Sequence, residues 1–410
     1  MISTHRLANG LTVLVEEMPH VESAAYDLLI PGGLVVDDER TVGASVLGME
    51  LIGRGAGGLD SRALSEAFED IGVRHGEGAG LDKFAFSGVL VADKLEKALT
   101  LTSKMVLEPH LPSEEIGNIR SLMLQDIASL NDSPGRRAGV ELHKRYYPAP
   151  YNRSSLGEAQ GLENTSRDTI VSIHERYFRP DRAILSVAGK VSAREVFDLA
   201  ERLFGGWKGT ADEVPKFGSL SPHDYFHLES ESAQLQILFA SPSVRFGAND
   251  YYAGKVAISL LGASMFGRLF IEVREKRGLC YSVYARHASN KDYGTVTAYV
   301  GTTAERAQES LDVLLEQLHG LKGTVDEAEL ERAKVNLKAQ LVLGDESPGS
   351  RAGSNATDWW LLQRVRPLSE ISAAIDAVNV ASIDAFLTAH PFNPNSILTL
   401  GNRKLNVPAI

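Results

Sequence analysis

The sequence predicts an α+β chain of two homologous copies, each a mixed β-sheet with helices packed on one side, related by a pseudo-twofold around a central groove. Three observations predict it: a repeat at one constant offset, alternation of strand-like and helix-like runs, and a length of 410 residues, too long for one ordinary domain. The repeat is the most informative. "NDSPGRRAG" at 131–139 recurs as "GDESPGSRAG" at 344–353, with Pro134 and Pro348 set 214 residues apart. "YFRPDRAILSVAG" at 177–189 recurs as "HPFNPNSILTLG" at 390–401, where Phe178 and Phe392, and Pro180 and Pro394, keep the same offset. "LPSEEIGNIRSLMLQDIASL" at 111–130 matches "VDEAELERAKVNLKAQLVL" at 325–343 in its acidic start and helical period. Two copies are too few for a solenoid. The division that follows is a first copy over 1–205, a linker over 206–224 and a second copy over 225–410. The seam "LFGGWKGTADEVPKFGSLSPHD" (203–224) is rich in Gly, Pro, Ser and charge, as an exposed connection would be.

The elements follow in order. "MISTHRLANGLTVLVEEMPH" reads as a hairpin turning at Asn9-Gly10. It has no basic leader followed by an apolar run, so no signal peptide is expected, and a cytoplasmic protein is the default. "GASVLGMELIGRG" (43–55) reads as a short helix opened by Gly43 and closed by Gly53 and Gly55. In the second copy, 233–240 is strand-like and 250–266 has a helical period. Residues 281–288 and 294–301 alternate like paired strands. The helix of 302–321 is expected to start on a capping box of Thr302 and Glu305, with Ala307, Leu311, Leu314 and Leu318 on one face.

Composition sets limits on function. The chain has 53 acidic against 42 basic residues, net −11, and no basic stripe to neutralise phosphates, so a nucleic-acid partner is not expected. Cys280 is the sole cysteine, which excludes internal disulfides and thiolate metal clusters. No apolar stretch approaches the 18 or so residues of a membrane span.

Candidate chemistry is sparse. His223 and His227 share a four-residue spacing, but Pro222 precedes them and the run alternates like a strand. Phe226 stands where a metalloprotease would carry its glutamate, so linker surface is the simpler reading. There is no phosphate-binding Gly-rich loop and no Gly-x-Ser-x-Gly elbow. In "REKRGLCY", Arg274 and Tyr281 bracket the turn Arg277-Gly278. They can be a donor pair facing a groove, the guanidinium for carbonyls and the phenol for a developing oxyanion. Equally, a cation can simply suit a helix C-terminus, with tyrosine in a strand.

Long motifs in consistent order resolve that choice. "LLGASMFGRLFIEVREKRGLCYSVYA", "NKDYGTVTAYVGT" and "YFRPDRAILSVAGKV", within a span from "LANGLTVLVEE" to "FNPNSILTLG", resemble the pitrilysin-type inverted-zincin metallopeptidases. The short two-copy members similar to mitochondrial processing peptidase are the best match. The family's metal motif is H-x-x-E-H on a first-copy helix, with a further glutamate ligand later in that copy. Alignment on that helix puts Val46 at the first histidine, Met49 at the catalytic glutamate and Glu50 at the second histidine. Gln125 or Asp126 falls near the last ligand. Valine binds no zinc and methionine is no general base.

The resemblance implies that Arg274 and Tyr281 hold substrate and stabilise the tetrahedral intermediate, and that "GASMFGRLF" (262–270), with Gly262 and Gly267, is the glycine-rich loop bordering the substrate chamber. It further implies a zinc-free subunit that binds peptide and pairs with a zinc-bearing, H-x-x-E-H paralogue, no metal being held by this chain. A homodimer is an option for the isolated chain. A stand-alone structural or peptide-binding homologue, like the respiratory-complex core proteins, is the alternative.

Overall fold

The computed structural model describes residues 2–220, 224–262, 265–393 and 396–408, with the Asp345 side chain also left out. The chain forms two compact units. One comprises Met1–Ser129, Ala149–Lys216 and Leu343–Val365; the other comprises Leu130–Pro148, Phe217–Val342 and Arg366–Ile410.

The first unit is built on a six-stranded sheet, in the order Ile2–Arg6, Thr12–Glu17, Ile184–Gly189, Ser23–Pro31, Lys83–Val91, Arg74–Ala79. Only the pairing of Thr12–Glu17 with Ile184–Gly189 is parallel. The hairpin read at Asn9-Gly10 is present with a wider loop. Gly10 takes φ +99°, and Asn9 donates through its amide to the carbonyls of Phe204 (2.7 Å) and Trp207 (3.0 Å). One sheet face is covered by the helices Ala44–Ile52, Leu95–Leu107, Ile116–Ala128, Arg167–Tyr177 and Ala193–Phe204, which enclose the main core of this unit.

The opposite face carries a single helix, Pro348–Leu362, which comes from the far end of the sequence. Its small residues allow close approach: a Cβ on Gly349 would lie 3.2 Å from Val89, and one on Gly353 3.6 Å from the Asp27 carboxylate. Arg351 anchors it through a forked pair to Glu16 (2.9 and 3.2 Å), and the Asn355 amide donates to the same carboxylate at 2.7 Å.

The second unit has a five-stranded sheet, ordered Cys280–Ser289, Gly294–Thr303, Gln234–Ser243, Ser396–Gly401, Tyr225–Glu229. Its one parallel pairing joins the last two strands. This repeats the strand order and parallel step of the first sheet, less its outermost strand, as two copies at one offset require. Helices Tyr251–Gly262, Ala307–His319 and Val380–Ala389 pack on one face. The other face again carries one helix from the opposite sequence copy, Pro134–Tyr146, whose Ala138, Leu142 and Tyr146 bury against Leu238, Ala240, Leu398 and Leu400.

The α+β class therefore holds, with an exchange added to it. The segments containing "NDSPGRRAG" and "GDESPGSRAG" each cover the sheet of the other copy, so compactness divides the chain differently from a cut at 206–224.

Three local expectations are corrected. Thr302 does not cap a helix: the strand runs on to Thr303, because Thr302 and Thr303 pair with Leu235 and Gln234. Thr302 instead donates from its hydroxyl to the Leu279 carbonyl at 2.6 Å. The helix begins at Ala307, and the apolar face of Ala307, Leu311, Leu314 and Leu318 is buried as read. The Glu305 carboxyl is held below the usual range by its own backbone N–H and by the Thr303 hydroxyl. The helix read over 250–266 is described only as Tyr251–Gly262. His227 is a strand residue rather than linker surface: one ring nitrogen shares a hydrogen bond with the Thr399 hydroxyl at 2.9 Å, and the other faces Glu229 at 3.3 Å. His223 lies outside the described residues.

The buried interface under Pro348–Leu362 has a pH consequence. Asp27 is pushed up from 3.8 to about 6 by burial, which Lys83 only partly offsets, and its Oδ1 has no hydrogen-bond partner. An Asp whose folded-state value is raised costs stability as pH rises from its unfolded value through its folded one, and the whole cost is in place above about pH 6. Asp27→Asn keeps the shape, and its amide can donate to Ser186, the residue opposite in the neighbouring strand, whose hydroxyl is buried without a partner. The variant is expected to gain up to about 3 kcal/mol at pH 8 and nothing at pH 3.5. Urea unfolding at the two pH values measures this; an equal change at both contradicts it.

Candidate functional site

The helix Ala44–Ile52 is short, and its entry is set by residues far from any local capping pattern. Gly43 adopts the left-handed region (φ +111°), where a Cβ would fall 2.9 Å from the Gly157 backbone. The buried donors at the helix start are taken by Asp37, whose carboxylate accepts from the N–H of Gly43 (2.8 Å), the N–H of Ser45 (2.9 Å) and the Ser45 hydroxyl (2.6 Å). Burial pushes the Asp37 carboxyl up, and these hydrogen bonds work against that shift. Sequence reading missed Asp37 because its partners lie six and eight residues on, outside the usual three-residue cap.

On this helix Val46 is half-buried and Glu50 is exposed, whereas Met49 is 2% exposed. Met49 lines the same apolar crevice as Ile52, Phe84, Ile170 and Phe178, so it serves the hydrophobic core. Gln125 and Asp126 are exposed on Ile116–Ala128, the helix packed against it. Tetrahedral zinc needs three protein ligands even at a catalytic site, commonly imidazoles. Here the donor set is two exposed carboxylates without a histidine, and among the described residues no three His, Cys, Asp or Glu gather to hold a metal ion. These residues do not fit zinc.

Arg274 and Tyr281 are placed with more definition. After the helix Tyr251–Gly262 the chain passes into a π-helical turn, Phe270–Glu275, closed by the Lys276 N–H donating five residues back to Ile271 at 2.9 Å. Such wide turns often occur at functional positions. The turn stacks the Arg274 guanidinium against Phe270 (4.8 Å) and against Tyr281 (5.0 Å). Spacing of four on a helix brings Phe270 to Arg274, a neighbour the sequence reading overlooked.

Tyr281 sits in a β-bulge: the ladder steps from Cys280–Thr302 to Ser282–Gly301, leaving it the extra residue. It is turned outward and 82% exposed. A bulge re-aims a side chain in this way.

Charge is partitioned within this turn. Glu272 accepts from Lys276 (2.6 Å) and Arg277 (2.7 Å), and those hydrogen bonds hold its carboxyl below the usual range. Among the described residues Arg274 has no carboxylate of its own; its contacts are the two rings. A guanidinium held by aromatic faces keeps all five N–H donors for an incoming acceptor. Cys280, beside it, is pushed up to about 11 by burial, with Arg274 pulling the other way. Its thiol therefore stays protonated at neutral pH and is no nucleophile.

The glycines of 262–270 have packing duties. A Cβ on Gly262 would lie 2.3 Å from the backbone nitrogen of Ala285, and one on Gly267 2.9 Å from the Leu261 carbonyl. The helix end thus rests directly on the strand that carries Tyr281. Arg268 fixes the following segment by a forked pair to Glu329 (2.7 and 2.8 Å) and a bond to the Thr324 carbonyl. Residues 263 and 264 lie outside the described residues. Gly262→Ala is expected to destabilise the chain by about 2 kcal/mol through overpacking against backbone. A denaturation midpoint equal to that of the parent would contradict this close approach.

The family described as Peptidase M16 inactive domain matches residues 164–337, a span that includes Arg274 and Tyr281 and not the helix Ala44–Ile52. A Bacillus subtilis (strain 168) protein named Uncharacterized zinc protease YmxG is 27% identical over 419 aligned residues, covering 100% of both chains. A Rickettsia felis protein named an uncharacterized zinc protease is 24% identical, covering 94% of this chain and 93% of that one. The crystal structure of a peptidase M16 inactive domain from Pseudomonas fluorescens has the same fold, with a TM-score of 0.90 at 24% identity over 100% of both chains. A Helicobacter pylori protease does too, at 0.89 and 19%, covering 98% of this chain and 99% of that one. The inactive-domain match over 164–337, the zinc-protease relatives and the shared fold agree with the resemblance to the pitrilysin-type, M16 peptidases drawn from the sequence.

Proposed function

We propose that the chain is the non-catalytic, substrate-binding subunit of a heterodimeric zinc peptidase, lending Arg274 and Tyr281 to a site whose zinc is held by an H-x-x-E-H partner. One observation carries the reading: on the helix at the ligand position Met49 is buried in the core, while Arg274 and Tyr281 stand stacked and, among the described residues, without a carboxylate partner. Arg274 then binds a peptide carbonyl through its fork. The Tyr281 phenol donates to the oxygen on which negative charge develops. The stacking of Arg274 on Tyr281 and the outward turn of Tyr281 at the bulge support these roles.

The test is reconstitution. Produced alone, this chain is expected to cleave no peptide; co-expressed with a zinc-bearing relative from the same genome, it is expected to co-purify and to raise cleavage well above that of the relative alone. A relative that is fully active alone and forms no complex overturns the proposal.

A further inference from the structure

We propose that the second unit carries a pocket for one large apolar side chain of a peptide, preferably aromatic, with Arg286 at its rim to bind an adjacent carboxylate. This rests on the reading of the chain as a peptide-holding subunit and specifies which peptides it holds.

The pocket follows from how the exchanged helix lies. Pro134–Tyr146 packs on the strands Gln234–Ser243 and Ser396–Gly401. Between the C-terminal half of that helix and the neighbouring strands is a cavity of about 210 Å³. Leu142, Tyr146 and Tyr147 form one wall, and Leu238, Tyr284 and Tyr299 the other. Apolar cavities of about 150 Å³ accept benzene, and sites for drug-sized molecules start at about 300 Å³. The space therefore suits a single side chain such as phenylalanine, tyrosine or leucine.

Its walls are fixed in advance. Tyr284 and Tyr299 stack at 5.0 Å, and Tyr299 is locked by donating from its hydroxyl to Gln236 at 2.6 Å. Tyr147 is held edge-on to Tyr146 at 5.1 Å. A preformed aromatic wall costs little ordering when a ring enters.

The rim supplies the charge. Arg286, two residues from Tyr284 and on the same sheet face, lies over that ring at 4.4 Å. It is exposed, and among the described residues it has neither an ion pair nor a hydrogen bond. In a chain of net charge −11, a guanidinium that pairs with no carboxylate among the described residues complements an acid supplied from outside.

Access comes from the sheet edge. Cys280–Ser289 is the outermost strand and pairs only with Gly294–Thr303 among the described strands, so its outward N–H and C=O groups can pair with an extended peptide. Tyr281 and Tyr284 are three residues apart on it, about 10 Å along a strand. A peptide paired along this edge can meet Arg274 and Tyr281 with a carbonyl and the pocket with a side chain a few residues away.

The test uses fluorescence anisotropy with the full chain and three fluorescein-labelled hexapeptides: Gly-Ser-Phe-Asp-Gly-Ser and its Phe-to-Ala and Asp-to-Lys analogues. The first is expected to bind at least 10-fold more tightly than either analogue. Gly139→Leu fills the pocket from its helical wall, where an added Cβ meets nothing within 4 Å, and a helical glycine is replaced by a better helix former. It is expected to erase the preference for Phe over Ala. Thr297→Leu does the same from the sheet side and stands in should the first variant melt early. Arg286→Gln is expected to erase the preference for Asp over Lys and keep that for Phe. Equal binding of all three peptides, no binding of any, or a Phe preference that survives both filled pockets overturns the proposal. If partner-dependent cleavage still needs Tyr281 in that event, the subunit role stands and the pocket alone falls.

Discussion

In a complex with a zinc-bearing partner, Tyr281→Phe is expected to lower kcat by about 100-fold or more, with KM and the melting temperature nearly unchanged. Loss of one preorganised oxyanion donor typically costs 100- to 1,000-fold. The substitution is clean in this fold. The phenol is solvent-facing and its hydroxyl serves no hydrogen bond within the described residues, so the oxygen can be removed without cost to folding. Phenylalanine keeps the ring against which Arg274 stacks at 5.0 Å. A fall in activity therefore reports the hydroxyl alone. Arg274→Lys complements it, since an ammonium keeps the charge but loses the fork and the flat stacking surface; its effect should fall on KM as well as kcat. Full activity in Tyr281→Phe would remove the catalytic role assigned to this chain.

Arg351→Ala is expected to cost about 3 kcal/mol of stability. Glu16 and Arg351 lie between the first sheet and the exchanged helix, with side chains 17% and 7% exposed. Removing the arginine leaves a largely buried carboxylate with only the Asn355 amide to answer it, and breaking such a pair typically costs about 3–5 kcal/mol. Replacing all three members, Arg351→Met with Glu16→Leu and Asn355→Leu, should recover most of the loss, because the desolvation cost disappears with the charges and no buried amide is left unpaired. Denaturant titration of the single and triple variants measures both. A single variant within 1 kcal/mol of the parent would show that the helix is held by its small-residue packing alone.

Much of the fold could be read from the chain because it rests on local period and repetition. The strand at 184–189 is buried on both faces, which is why it reads as a continuous apolar run. The face of Ala307, Leu311, Leu314 and Leu318 followed from helical spacing. The location of Arg274 and Tyr281 at a helix-to-strand turn was equally legible. Their stacking was not, since it depends on a π-helical turn and a bulge, two single-residue irregularities without a compositional signature. The Asp37 contacts to Gly43 and Ser45 were invisible for a related reason: they bridge a loop whose path is set by packing at Gly157. Thr302 shows the opposite error, where a good local capping pattern loses to ladder pairing with Leu235. The exchange of helices was out of reach for periodicity altogether. An apolar stripe states that a helix must be covered and leaves open which sheet covers it.

That exchange gives the chain the connectivity of a domain-swapped dimer whose two protomers have been fused. The backbone crosses between the units at residues 129–130, 148–149, 216–217, 342–343 and 365–366, so proteolysis at the 206–224 connection removes one crossing and leaves the rest. Each sheet face is closed by a helix delivered on a tether, which makes docking intramolecular and independent of protein concentration. A half-length ancestor with this fold would have had to associate in order to cover its own sheet. Carried on one polypeptide, that coverage no longer depends on two chains meeting.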